Sequence, residues 1–107
     1  MPKVTFIAHD GQSQIVEASN GSSMMRIAVT NGVRGIVAEC GGAMMCGTCH
    51  VYVSAEWINR LPPPGDTENL MLDMTVAERR SNSRLSCQIA ISDAIDGIVA
   101  TIPDHQV

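Results

Sequence analysis

The sequence predicts an α+β fold, a mixed sheet packed on a helix. Three observations lead there. A strand–turn–strand pattern opens the chain, one capped amphipathic helix follows, and the second half holds short β-prone runs broken by Pro, Gly and Asn. A length of 107 residues suits one domain, expected to span residues 1–107. At 45% hydrophobic residues the chain can fill a core without cross-links. Phe6, Tyr52 and Trp57 are its aromatics, so that core is built from aliphatic side chains and methionine.

Lys3 to Ala8 reads as the first strand, with Val4 and Phe6 on one face and Thr5 and Ile7 on the other. His9-Asp10-Gly11-Gln12 predicts a hairpin turn, since Asp-Gly takes the positive φ angles of a type I′ turn. Gln14 to Ala18 returns as the second strand. Ser23 offers an N-cap, Met24, Ile27 and Ala28 follow at helical spacing, and Asn31-Gly32 closes the helix. Val51 to Val53 forms a short strand. Leu61-Pro62-Pro63-Pro64-Gly65 excludes helix and central strand. Thr67 is placed to cap a helix from Glu68 to about Met74, and Thr75 with Glu78 forms a capping box for a further turn. Leu85 to Ile91 and Ile98 to Ile102 are the closing strands, the last ended by Pro103.

Gly35 to Thr48 has neither period and carries chemistry instead. Cysteines stand at 40, 46, 49 and 87, a C-x5-C-x2-C spacing followed after 37 residues by the fourth. Four thiolates are what a two-iron, two-sulfide cluster requires, two for each iron. Four cysteines also allow two disulfides, which need an oxidising compartment. The chain opens Met-Pro-Lys-Val-Thr-Phe, without the basic start, apolar run and cleavage site of a secretory signal. No apolar run approaches the ~20 residues that span a bilayer. Reduced thiols, a cytoplasmic location and no membrane contact are therefore expected. Zinc is the other rival. Its structural sites favour two close cysteine pairs, and here only Cys46 and Cys49 form one. Three cysteines on one loop with a distant fourth is the plant-type cluster pattern with one extra residue in the first gap. A zinc-stabilised binding module with no redox role remains the alternative from a different class.

The formal charge is −4, and thiolates holding a cluster would make the protein more acidic still. That argues against nucleic acid, whose phosphates call for Lys and Arg. It favours a basic protein surface reached by electrostatic steering.

The segments ECGGAMMCGTCHVYV (Glu39 to Val53), NSRLSCQI (Asn82 to Ile89) and DGIVATIPD (Asp96 to Asp104) resemble the adrenodoxin and putidaredoxin family of 2Fe-2S ferredoxins. The resemblance runs nearly end to end. It implies the β-grasp ferredoxin fold, with a cluster-binding loop at the molecular edge. It also implies one 2Fe-2S cluster held by Cys40, Cys46, Cys49 and Cys87, and electron transfer rather than catalysis.

Other residues gain expected roles in the same way. His50 reads from composition as a buried hydrogen-bonding histidine. In the family the matching histidine links the cluster loop to the region before the last ligand, so His50 is expected near Ser83 and Arg84, with His50 and Arg84 supporting the cluster. Asp66, Glu68 and Asp73 read as a solvated helix face, with Asp66 and Glu68 favoured by the helix dipole. The resemblance implies that such acids dock a basic reductase surface. Glu39 matches an acid that contacts the oxygenase. Met44 and Met45 flank the ligands and suit either docking or inward packing. In one branch of the family the chain ends in a tryptophan that engages the oxygenase. This chain ends Pro103-Asp104-His105-Gln106-Val107, so that contact is not implied.

The expected function is that of a monomeric one-electron carrier. It would run from an NAD(P)H-dependent FAD ferredoxin reductase to a cytochrome P-450 monooxygenase. A ferredoxin supplying electrons for iron–sulfur cluster assembly shares the spacing and is the alternative within electron transfer.

Overall fold

The computed structural model describes residues 2–8, 10–33, 49–75 and 77–103. Five strands form one mixed sheet in the order β2-β1-β5-β3-β4. They are β1 (Lys3–Ile7), β2 (Ser13–Glu17), β3 (His50–Val53), β4 (Ser83–Leu85) and β5 (Ile98–Thr101). The helices are α1 (Met24–Thr30), α2 (Ala55–Ile58) and α3 (Asp66–Leu72).

The alternation read in the first strand holds: Val4 and Phe6 are fully buried, whereas Thr5 and Ile7 are half-buried on the other face. β1 pairs antiparallel with β2, Val4 opposite Val16, and parallel with β5, Val4 opposite Ile98. The hairpin turn differs from the expected type I′. Ala8 N–H donates to Gln12 O (2.7 Å) and Gly11 N–H to Ala8 O (2.9 Å), with Gly11 at φ +90°. That is the pattern of a three-residue loop ending in a left-handed glycine, one residue longer than a two-residue turn.

α1 forms as its sequence signals require. Ser23 Oγ accepts from Arg26 N–H (3.1 Å) at the N-terminus. At the other end Val33 N–H donates to Ala28 O (2.9 Å) and Gly32 N–H to Val29 O (3.2 Å), with Gly32 at φ +68°. These two bonds are a Schellman motif, and the buried Val33 supplies its apolar contact. Met24, Met25, Ile27 and Ala28 pack into the core with Leu85, Ile89, Ile91, Ile98 and Ala100 from the second half.

Three expectations fail for physical reasons. α3 begins at Asp66, with Gly65 rather than Thr67 at the N-cap, because helical bonding starts as soon as the proline run ends: Asn69 N–H reaches Gly65 O (2.9 Å). No further helical turn follows it, since Thr75, Ala77 and Glu78 are not helical. Thr75 Oγ1 lies instead against the carbonyls of Leu72 (3.0 Å) and Ala77 (2.9 Å). The strand expected over Leu85 to Ile91 ends at Leu85, and Ser86–Gln88 is one turn of 3-10 helix. The 3-10 turn makes the break: Ile89 N–H closes on Ser86 O (3.2 Å). Ser86 itself still keeps the ladder register, its N–H bonding to Cys49 O (3.0 Å), and its Oγ adds a second bond to the same carbonyl (2.8 Å). α2 went unread, although Ser54 at its N-cap and Glu56 in its first turn are start signals.

Phe6 is 1% exposed and supplies the aromatic bulk of the β1 face. Phe6→Ala should lower the unfolding free energy by about 3–5 kcal/mol. Denaturant titration of the parent and variant checks this.

Candidate metal centre

Cys49 immediately precedes β3, and Cys87 sits in the 3-10 turn after β4. The antiparallel pairing of β3 with β4 sets His50 opposite Leu85. The two bonds from Ser86 to Cys49 O then clamp the segment that carries Cys87. Cys49 is buried, at 2% exposure, and Cys87 is half-buried.

The Cys49 thiol is pushed far above its ordinary range, first by its hydrogen bond with the Cys87 thiol and then by burial. A metal displaces the Cys49 proton, because a coordinating thiol is deprotonated outright. Two soft sulfur donors from distant parts of the sequence, side by side at the edge of an apolar core, fit an iron–sulfur group. Cys40 and Cys46, with Glu39, Met44 and Met45, lie outside the described residues.

His50 is fully buried. Its Nε2 stands 2.8 Å from Ser83 Oγ, which also accepts from Arg80 N–H at 2.7 Å. Its ring meets the Tyr52 ring edge-on at 4.8 Å. Burial, followed by the positive charges of Arg80 and Arg79, lowers its pKa to about 4, so the imidazole is neutral at pH 7.

Arg84 and Glu68 form a buried pair, their side chains 5% and 4% exposed. Nε and Nη2 of Arg84 contact the two carboxylate oxygens at 2.7 and 3.1 Å, and Nη1 donates to Pro62 O at 2.8 Å. Leu85 N–H adds a third bond to the same carboxylate (3.0 Å). This corrects one expectation. Glu68 is turned inward, so its charge is spent on Arg84 and is not displayed on a docking face. The signal was present: Glu68 and Leu72 stand four residues apart on one helix stripe, and both are buried.

Asp66 and Asp73 are exposed. Asp73 Oδ1 pairs with Arg79 Nη1 at 2.7 Å, and Arg79 is held in turn by Asn69 O (3.0 Å) and Asn69 Oδ1 (2.6 Å). Beside these acids Leu70 is 67% exposed and Met74 75%. Sequence reasoning missed this apolar component. Its signal is Leu70, on the side of α3 away from Leu72, with Met74 two residues past the helix end.

Residues 7–92 match the model of the 2Fe-2S iron-sulfur cluster binding domain. Rhodocoxin from Rhodococcus erythropolis is 47% identical over 107 residues, covering 100% of both chains. A crystal structure of a ferredoxin from Rhodopseudomonas palustris HaA2 superposes with a TM-score of 0.97, at 50% identity and covering 99% of this chain and 100% of that one. Putidaredoxin, in its covalent complex with putidaredoxin reductase, superposes with a TM-score of 0.94, at 43% identity over 96% of this chain and 99% of that one.

The chain belongs to the 2Fe-2S ferredoxins of the putidaredoxin type. Like them, this ferredoxin has the β-grasp fold, holds one 2Fe-2S cluster and is an electron carrier rather than an enzyme. The zinc alternative falls with that membership. Among the described residues no helix is long and apolar enough to cross a membrane.

The chemistry that the cluster supplies when bound is a reversible one-electron couple. The chain's own part is structural. Ser86 fixes Cys49 against the Cys87 turn, Glu68 and Arg84 fix β4 against α3, and the neutral His50 bridges β3 to Ser83. Glu68→Gln leaves the Arg84 charge buried without its counterion, and should cost about 3–5 kcal/mol of stability. Chemical denaturation of the cluster-loaded variant checks this. A loss below about 0.5 kcal/mol, the range of an exposed substitution, would contradict the buried pairing.

Proposed function

We propose that this ferredoxin carries single electrons from an NAD(P)H-dependent FAD ferredoxin reductase to a cytochrome P-450 monooxygenase in the cytoplasm. The cluster is held by Cys40, Cys46, Cys49 and Cys87. The carrying observation is the near-complete superposition on putidaredoxin in its complex with a reductase. The electron-donor role toward a haem-thiolate oxygenase rests on the family resemblance, which extends through the closing Asp96 to Asp104 segment.

The face around α3 supports the reductase half of this reading. Asp66 and Asp73 present negative charge, and Leu70 and Met74 present apolar area between and beside them. The acids steer a basic partner at long range, and the apolar side chains supply contact once water is expelled. Asp73 carries the stronger assignment. Its neighbour Arg79 screens part of its charge, so dependence on salt is moderate rather than steep. Glu39, Met44 and Met45 are proposed as the rim that meets the oxygenase. His50 and Arg84 are proposed as supports of the cluster loop.

Two measurements test the reading. Replacing any one of Cys40, Cys46, Cys49 or Cys87 by Ala should abolish stable cluster loading. A variant that kept the full parental visible spectrum would remove that residue from the ligand set. Asp73→Asn should lower the second-order rate of reduction by the reductase about 3- to 10-fold at low salt, the loss expected of one steering charge. It should also flatten the salt dependence while leaving the cluster spectrum intact. Stopped-flow reduction across a salt series checks this, and an unchanged slope would move the docking site away from α3.

A further inference from the structure

We propose that Gln88 sets the electron affinity of the cluster, acting through the sulfur of Cys87. The proposal rests on Cys87 being a ligand, as assigned above. Gln88 Nε2 lies 3.6 Å from Cys87 Sγ, within the range of an N–H···S bond because sulfur is larger than oxygen. The side chain is exposed; Ile89 after it is 1% exposed, and Ser86, two residues before it, is fully buried. An exposed glutamine would ordinarily sample solvent. This one is turned onto Cys87 Sγ from a backbone held by hydrogen bonds at Ser86 and Ile89.

The anchoring comes from both sides of the residue. Ser86 is clamped to Cys49 O by two bonds. Ile89 N–H closes the 3-10 turn on Ser86 O (3.2 Å), and Ile89 O accepts from Met24 N–H (2.8 Å) at the start of α1. Gln88 therefore leaves a rigid turn between two buried residues, with its amide directed back along the chain to the preceding sulfur.

The physical consequence follows from charge. Adding an electron makes the ligand sulfurs more negative, so a donor on a sulfur favours the reduced form over the oxidised one. A side-chain donor at the half-exposed ligand matters for a second reason. It occupies a direction from which water would otherwise approach Cys87. A backbone donor is removed only by proline, which also fixes φ and disturbs the loop, whereas this side-chain donor is removed by a conservative change. Gln88 thus offers a site where the potential is adjusted without altering a ligand or the fold.

The experiment compares cluster-loaded parent, Gln88→Leu, Gln88→Glu and Gln88→Lys by redox titration monitored in the visible, together with Cys87→Ala. Gln88→Leu removes the donor at no change in charge. Its reduction equilibrium constant should fall about 3- to 10-fold, where tenfold corresponds to about 59 mV for a one-electron couple. Gln88→Glu, which exchanges the donor for an acceptor of the same shape, should fall at least as far. Gln88→Lys, which keeps a nitrogen donor, should stay at or above the parent. A leucine variant within twofold of the parent, with the parental spectrum, would overturn the proposal. Should Gln88→Leu fail to load the cluster, an unchanged potential in Gln88→Glu would overturn it equally. Failure of the underlying ligand assignment is read separately: Cys87→Ala would then keep a stable cluster.

Discussion

The buried pair of Glu68 and Arg84 ties together the parts of this ferredoxin that have to act as one body. Two charges removed from water are costly unless each finds a partner of matching geometry. Here the guanidinium meets both carboxylate oxygens, its remaining donor reaches Pro62 O, and the carboxylate also accepts from Leu85 N–H. One carboxylate thereby joins α3, the end of β4 and, through Arg84, the proline connector. Leu85 stands two residues before Cys87. α3 and the segment that bears the fourth cysteine are therefore fastened at a single point.

From that point the contacts run to the centre without a gap. Leu85 faces His50 across the β3–β4 ladder, Ser86 bonds twice to Cys49 O, and His50 reaches Ser83. The links from Ser86 and His50 are buried hydrogen bonds, costly to leave unmade in a low-dielectric interior. For a one-electron carrier this has a use. A ligand shell that holds its shape in both redox states adds little reorganisation to each transfer. The neutral His50 suits the same end, because it brings no charge into the space beside Cys49.

Much of this was legible in the sequence where local chemistry decides. The alternation of Val4 and Phe6, the Ser23 cap and the Asn31-Gly32 stop each need only near neighbours, and each appears as read. The cysteine spacing led to the cluster and the family. What escaped depends on contacts distant in sequence. Ser86 stays fastened to Cys49, far upstream, and the chain beyond it turns so that Ile89 O meets Met24 N–H at the start of α1. Glu68 turns inward because Arg84 needs a counterion, although its spacing from Leu72 marked the inner stripe. The further turn after α3 fails because Thr75 finds the Leu72 and Ala77 carbonyls instead of capping a helix. Glu39, Met44 and Met45 lie outside the described residues, so their part rests on the resemblance.

Ser83 to Ser86 belongs to the rigid core although it sits at the sheet edge beside α3. Amide hydrogen exchange of the cluster-loaded protein tests it most directly. The Leu85 and Ser86 amides should exchange as slowly as those of β1 and β5, opening only when the whole protein unfolds. Exchange of those two amides through a separate, low-energy local opening, with β1 and β5 still protected, would contradict it.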